Sequence, residues 1–259
     1  MPSPPRLGDR PDTRADSPFR RAPYLTRVTT DEARVRWVGA PGRKLRALAR
    51  TDAGVSVRGQ RGVFTELEPG TAHRWLVSVD GVPSAGGSFV TAPSDAASSF
   101  EFAAIGGTDG RTVVDPHRAR LLADLPARLL VGVGALGGVA PGCDLNAFLF
   151  DPLGDALRRM PFYGAVADPR EGPGGAWPEL VAALEWPGAG ARYAARYGPV
   201  QLLMLGGPPR QDDRAWVRRE CARRGAGIRL VVLHRTAPDD RALLAACADL
   251  PVSAVLMPG

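Results

Sequence analysis

Phe100-Glu-Phe-Ala-Ala-Ile-Gly-Gly-Thr-Asp-Gly110 decides the fold: an apolar strand runs straight into a glycine turn. Leu130-Val-Gly-Val-Gly-Ala-Leu-Gly137, Pro161-Phe-Tyr-Gly-Ala-Val-Ala-Asp168 and Leu230-Val-Val-Leu-His234 repeat the pattern further on. Strands this apolar need cover on both faces. Helical patterns supply it over residues 117–125, where Leu121, Leu122 and Leu125 share a stripe, and over 148–159, 214–224 and 241–248. Further strands are expected over 198–205 and 252–256. Strands alternating with helices predict an α/β domain with its reactive groups at the carboxyl ends of the strands.

Upstream the pattern changes. Residues 1–21 are rich in Pro, Arg, Asp and Ser without periodicity, the composition of a disordered tail. Short β-forming runs follow in 24–28, 33–38, 45–49, 73–79 and 88–90. Thr30-Asp31, Pro41-Gly42, Pro69-Gly70 and Asp80-Gly81 provide the turns. Short strands at this spacing predict a small antiparallel sandwich of about seventy residues. Thr91-Ala-Pro-Ser-Asp-Ala-Ala-Ser-Ser99 reads as a small-residue linker to the α/β part.

The 259 residues are 44% hydrophobic and 23% charged, enough to bury a substantial core. No run approaches the roughly eighteen apolar residues that cross a bilayer. Met1-Pro-Ser-Pro-Pro-Arg-Leu-Gly-Asp-Arg10 has no apolar core of a secretory signal, so a cytoplasmic address is expected. The net charge of +6 would suit an acidic partner. Lys44 is the sole lysine, however, and the arginines are scattered as in a chain from a GC-rich, bacterial-type genome. Without a block of like charge or interleaved aromatics, a nucleic-acid partner is not expected. Cys143, Cys221 and Cys247 form no CxxC pair and imply neither a disulfide framework nor a zinc knuckle.

Several landmarks occur in order: Ala22-Pro-Tyr-Leu25 with Val35-Arg-Trp37, Leu67-Glu-Pro-Gly-Thr-Ala-His73, and Ser88-Phe-Val-Thr-Ala-Pro93 leading into Phe102-Ala-Ala-Ile-Gly106. Later come Phe150-Asp-Pro-Leu-Gly-Asp-Ala-Leu-Arg-Arg-Met-Pro161, Tyr197-Gly-Pro-Val200, and Gln211 with Trp216-Val217. Together they resemble the purple acid phosphatase-like, calcineurin-type metallophosphoesterases, which carry a fibronectin type III-like domain before the catalytic one. The resemblance implies an α/β metallophosphoesterase-like sandwich, C-terminally short, behind a small all-β fibronectin/Ig-like sandwich. It divides the chain into a tail (1–21), a fibronectin-like unit (22–93), a linker (94–99) and a metallophosphoesterase-type domain (100–259). His73 stands where fibronectin domains usually carry a corner tyrosine and is expected as a partly buried corner residue.

The same resemblance implies that the metal motifs have changed. The first Gly-Asp falls on Gly106-Gly107, and the second, whose aspartate would bridge two metals, on Gly134-Ala135. A purple-type tyrosine ligand would fall near Gly138. The Gly-Asn-His-Asp/Glu loop becomes Ala167-Asp-Pro-Arg170, the histidine of the fourth motif remains as His234, and the final Gly-His-x-His would begin at Gly259. A two-metal hydrolase needs donors around both ions and a bridging carboxylate between them. Gly107 and Ala135 offer no side-chain donor, and Arg170 puts a cation where a dication would sit.

The expected function is therefore a degenerate, noncatalytic homologue acting as scaffold or binding module, with no metal cofactor. The alternative is a phosphate monoesterase with a rebuilt site, in which Asp109, Asp168 and His234 hold one divalent Fe, Zn or Mn ion and His234 and Asp168 serve catalysis. Asp115, His117 and Asp144 could contribute to it, although aspartates after strands are also ordinary turn formers and caps. The ending at Met257-Pro-Gly259 directly after a strand leads to the expectation of an open sheet edge, with three alternatives: a protein partner covers it, the chain is a truncated relic, or the fold closes another way. Gly132-Val-Gly-Ala-Leu-Gly137 spells a dinucleotide fingerprint, but Pro141-Gly142 follows where a helix would have to open. His234-Arg235 could also take a phosphate group without metal.

Overall fold

A computed structural model of the protein describes residues 17–41, 47–51, 55–56, 61–94, 101–108, 116–136, 144–164, 177–187, 192–207, 210–223, 227–233 and 240–257. The amino-terminal part contains β1 (Phe19–Val28), β2 (Ala33–Gly39), β3 (Ala47–Thr51), β4 (Val55–Ser56), β5 (Arg61–Phe64), β6 (Ala72–Val79) and β7 (Val82–Val90). They form two antiparallel sheets, ordered β1-β2-β5 and β4-β3-β6-β7. β2 shows why: Ala33, Val35 and Trp37 turn inward and are fully buried, while Arg34 and Arg36 alternate to the other face. β1 begins at Phe19, so strand structure reaches into the segment expected to be tail. Its apolar Phe19 and the buried Arg21 give that stretch something to pack.

The second part alternates β8 (Ala103–Thr108), α1 (Pro116–Asp124), β9 (Leu130–Leu136), a π-helical turn at Asn146–Phe150, α2 (Gly154–Leu157) and β10 (Phe162–Gly164). α3 (Trp177–Leu184), β11 (Arg192–Tyr197), β12 (Val200–Leu205), α4 (Asp213–Cys221), β13 (Ile228–Leu233), α5 (Asp240–Ala248) and β14 (Ala254–Leu256) follow. One sheet, β10-β9-β8, is parallel throughout. The other, β11-β12-β13-β14, is parallel except for β11, which pairs antiparallel with β12 through a tight hairpin. Every residue of β12 is buried. Val200, Leu202 and Met204 join the large core, whereas Leu203 and Leu205 join a second layer with Trp216, Val217 and Leu243 beneath α4 and α5.

Two helices depart from the sequence reading. The helix expected over 148–159 is broken, because Pro152 has no N–H and the amide of Asp151 instead reaches back to the Asn146 carbonyl at 2.8 Å. In α1, Ala119 and Leu122 are buried, while Leu121 and, just past the helix end, Leu125 stand exposed. The expected leucine stripe is split between two faces.

The large core runs without a break from Phe19 and Trp37 through Phe150, Phe162 and Trp186 to Val232, so both parts share it. Trp37 and Tyr24 are nearly inaccessible, each stabilising by about 1.5–3 kcal/mol relative to exposure. Polar ties cross the same junction. Arg21, 7% exposed, donates from Nε to Asn146 Oδ1 at 2.7 Å and lies 4.1 Å above the Phe150 ring. Tyr24 donates to the Ala183 carbonyl, Trp75 to that of Arg158, and Tyr197 returns a bond to the Val90 carbonyl.

Glu185 follows α3 with φ at 54°, a conformation that costs a non-glycine residue about 1–2 kcal/mol. Its carboxylate accepts from Thr26 Oγ1 at 3.1 Å and lies 3.6–3.8 Å from guanidinium nitrogens of Arg34, Arg36 and Arg61. Thr91, Ala92 and Pro93, expected as part of a linker, are buried, and the Pro93 carbonyl abuts the hairpin turn at Gly198.

Candidate functional site

β8 and β9 lie side by side in parallel, and their carboxyl ends are where this architecture presents chemistry. The register is regular up to Gly106 opposite Val133 and then slips, so that Thr108 faces Leu136. Between those pairs, Gly107 on β8 opposes two residues of β9, Gly134 and Ala135. This is a bulge, and Gly134 takes φ of 80° within it. Gly106 cannot be enlarged, because a Cβ there would meet the Val133 carbonyl oxygen at 2.7 Å. The backbone at these strand ends is thus held closely.

The two positions that the resemblance assigns to the first and the bridging metal ligand therefore sit next to each other, and they are Gly107 and Ala135. Neither side chain can donate an electron pair. Among the described residues no group of three His, Cys, Asp or Glu side chains is placed to hold a metal ion.

The remaining candidates separate into two sets. Asp109, Asp115, Gly138, Asp168, Pro169, Arg170, His234 and Gly259 lie outside the described residues, as do Cys143 and Arg235. His117 is an exposed residue in the first turn of α1, and Asp144 is exposed just before the π-helical turn. Asp144 Oδ1 accepts the amide N–H of Asn146 at 2.9 Å, the work of a turn-forming aspartate. Burial, with the neighbouring Asp144 charge adding to it, raises the Asp151 carboxyl above its usual range, and Arg21 opposes the rise.

The sequence reading missed Arg21, Asn146 and Glu185. Arg21 falls at the end of the segment whose composition predicts a tail. Asn146 and Glu185 belong to no motif, and their partners are more than a hundred residues away in the chain. The alternation of Phe19 and Arg21 was the one local signal of the first. His73 is buried on β6, its ring 5.4 Å from that of Phe89, consistent with a structural corner residue. Cys221 and Cys247 are buried in the layer beneath α4 and α5, and burial pushes both thiols up, away from nucleophilic character.

No family model matches the chain, and no curated protein matches it. Solved structures do, among them two of the metallophosphoesterase fold. The purple acid phosphatase PPD1 from yellow lupin (Lupinus luteus) seeds is similar at a TM-score of 0.60 with 14% identity, over 84% of this chain and 52% of that one. PhoD is similar at a TM-score of 0.56 with 12% identity, over 84% of this chain and 62% of that one. This chain spans less than two thirds of the length of either. Identities this low establish likeness of fold alone: the protein has a metallophosphoesterase-like fold. A human fibronectin type III domain overlaps 34% of this chain at a TM-score of 0.25, too low to assign a fold. No described helix is long and apolar enough to cross a membrane.

Proposed function

We propose that this chain is a noncatalytic relative of the metallophosphoesterases whose two-part frame serves as a scaffold or binding module. In this reading residues 22–93 are a fibronectin-like sandwich, residues 94–99 a connector, and residues 100–259 a metallophosphoesterase-type sandwich. The strand order β1-β2-β5 against β4-β3-β6-β7 supports the first assignment. The observation that carries the functional reading is that Gly107 and Ala135 lie in the same bulge at the ends of adjacent parallel strands, between the Gly106–Val133 and Thr108–Leu136 pairs. A catalytic dication is normally held by about three protein ligands, and two of the positions nearest the strand ends can supply none.

Metal analysis of the purified protein, combined with hydrolysis of a chromogenic phosphate monoester, tests this. The expected result is metal far below one equivalent and no chelator-sensitive hydrolysis. Near-stoichiometric iron, zinc or manganese, with turnover abolished by chelator and by His234→Ala, would overturn the proposal in favour of a rebuilt site at Asp109, Asp168 and His234.

A further inference from the structure

α4 sorts its residues sharply by side. Asp213, Trp216, Val217, Glu220 and Cys221 are buried, and the outward set is Arg214, Ala215, Arg218, Arg219, Ala222 and Arg223, all exposed. At about 3.6 residues per turn, Arg214 and Arg218 stand on one flank of the outward face and Arg219 on the other. Ala215 and Ala222 lie between them. Arginines that look scattered along the sequence are thus gathered by the helix onto one surface.

The acids of the same segment leave that charge in place. Arg192 takes up Asp212 in a two-pronged pair, 2.9 Å to each carboxylate oxygen. Asp213 is buried and also bound to Arg192. Glu220 is buried too and offsets only Arg223, whose Nε lies 3.3 Å away. Among the described residues the side chains of Arg214, Arg218 and Arg219 make no ion pair or hydrogen bond. Arg218 and Arg219 in the last turn suit the helix dipole, but Arg214 in the first turn opposes it. Arg214 and Arg218, four residues apart, also repel each other. An anionic partner would relieve both costs.

The residues between the arginines narrow the partner. A helix that inserts into a membrane surface needs exposed apolar side chains, and a single-strand binder needs exposed aromatic ones. α4 turns neither outward, because Trp216 and Val217 face the sheet. Alanines seven residues apart instead let a second helix come within about 8–10 Å, axis to axis. Guanidinium groups on both flanks match carboxylates in a two-pronged geometry. We propose that the outward face of α4 docks an acidic helix of a partner protein, with carboxylates reaching Arg214 and Arg218 on one side and Arg219 on the other. The inference deepens the binding-module reading and rests on it. Metal analysis and hydrolysis test that reading at the strand ends, whereas the assay below reads α4, so each can fail alone.

The probe is a labelled helical peptide of about three heptads, with alanine along one seam and glutamate on both flanks. Fluorescence anisotropy with the whole chain should show saturable binding that weakens as salt rises. A peptide with glutamine in place of glutamate should not bind. Reversing Arg214, Arg218 and Arg219 to Glu together should weaken binding by at least about tenfold. Reversing the exposed Arg20, Arg27 and Arg120 to Glu, an equal change in net charge, should leave it within about twofold. Equal losses in the two triple variants would overturn the proposal, as would no binding by the natural chain. Equal binding of a proline-broken peptide of the same charge would also overturn it. So would tighter binding, through the same arginines, of single-stranded DNA or of vesicles of equal parts phosphatidylserine and phosphatidylcholine. Should the α4 triple variant fail to fold by circular dichroism, Arg218→Glu alone decides, with a loss of about threefold expected and no loss refuting the site.

Discussion

Replacing Arg21 with alanine removes the most buried charged tie between the two parts of the chain. Four terms set the size of the effect. The Nε bond to Asn146 is 2.7 Å long and charge-assisted, a class contributing about 1.5–3 kcal/mol. The guanidinium 4.1 Å over Phe150 adds about 1 kcal/mol. The Glu179 contact adds little, because that carboxylate is 62% exposed. Removing a buried cation also relieves its desolvation, which offsets part of the sum. The net expectation is a loss of about 3 kcal/mol, or roughly 6–12 °C in Tm for a chain of this size.

Urea denaturation followed by circular dichroism and by tryptophan fluorescence measures it. Trp37 and Trp75 report on the first part and Trp186 and Trp216 on the second. Because the core is shared, both probes should shift together. Arg21→Met, which keeps the stem against Phe150, should fall about midway between the natural chain and Arg21→Ala. A loss below about 0.5 kcal/mol would refute the reasoning, since desolvation would then cancel the bond. Probes that separate in the natural chain would refute the shared core.

Gly198→Ala should destabilise by about 2–4 kcal/mol, since φ there is 56° and a Cβ would meet the Pro93 carbonyl oxygen at 2.3 Å; a thermal shift within experimental error would contradict this. Glu185→Ala should lose about 1–2 kcal/mol, with the loss shrinking in high salt as the surrounding arginines are screened; a salt-independent loss would argue against the ionic role. All four tyrosines have raised phenol pKa values, caused first by burial, with Tyr163 pushed up to about 12. Each raised pKa leaves its stability intact below the unfolded value near pH 10. Above that, ionisation in the unfolded chain removes up to about 1.4 kcal/mol per pH unit per tyrosine. Phenolate absorbance should therefore rise in one step coincident with unfolding, and gradual titration of a still-folded protein would count against it.

The parts of the fold legible in the sequence were those with local periodicity. β2, β6, β8, β9, β13 and α5 announce themselves by alternation or by an apolar run closed by turn residues. α3 and β11 did not, because Trp177-Pro-Glu-Leu and the mixed Arg192-Tyr-Ala-Ala-Arg-Tyr197 carry weak period signals, and their burial is decided by tertiary contacts. The break in the helix after Asn146 was readable in principle from Pro152. The strand-end positions Gly107 and Ala135 came from the resemblance, and the bulge that sets them side by side depends on a register no single strand encodes. The partners of Arg21 and Glu185 were invisible for the same reason: contacts made across more than a hundred residues leave no trace in a local window.

The burial of Thr91, Ala92 and Pro93 against the Gly198 hairpin bears on what joins the halves. The linking peptide is not their sole attachment, because the shared core and the side-chain bonds of Arg21, Tyr24, Trp75 and Tyr197 also join them. A chain severed between residues 94 and 101 should elute as one particle, its fragments parting only under denaturant. Either fragment made alone would present a broad oily wall and fall out of solution. Anyone wishing to borrow the first half as a portable tag should expect to carry the second along.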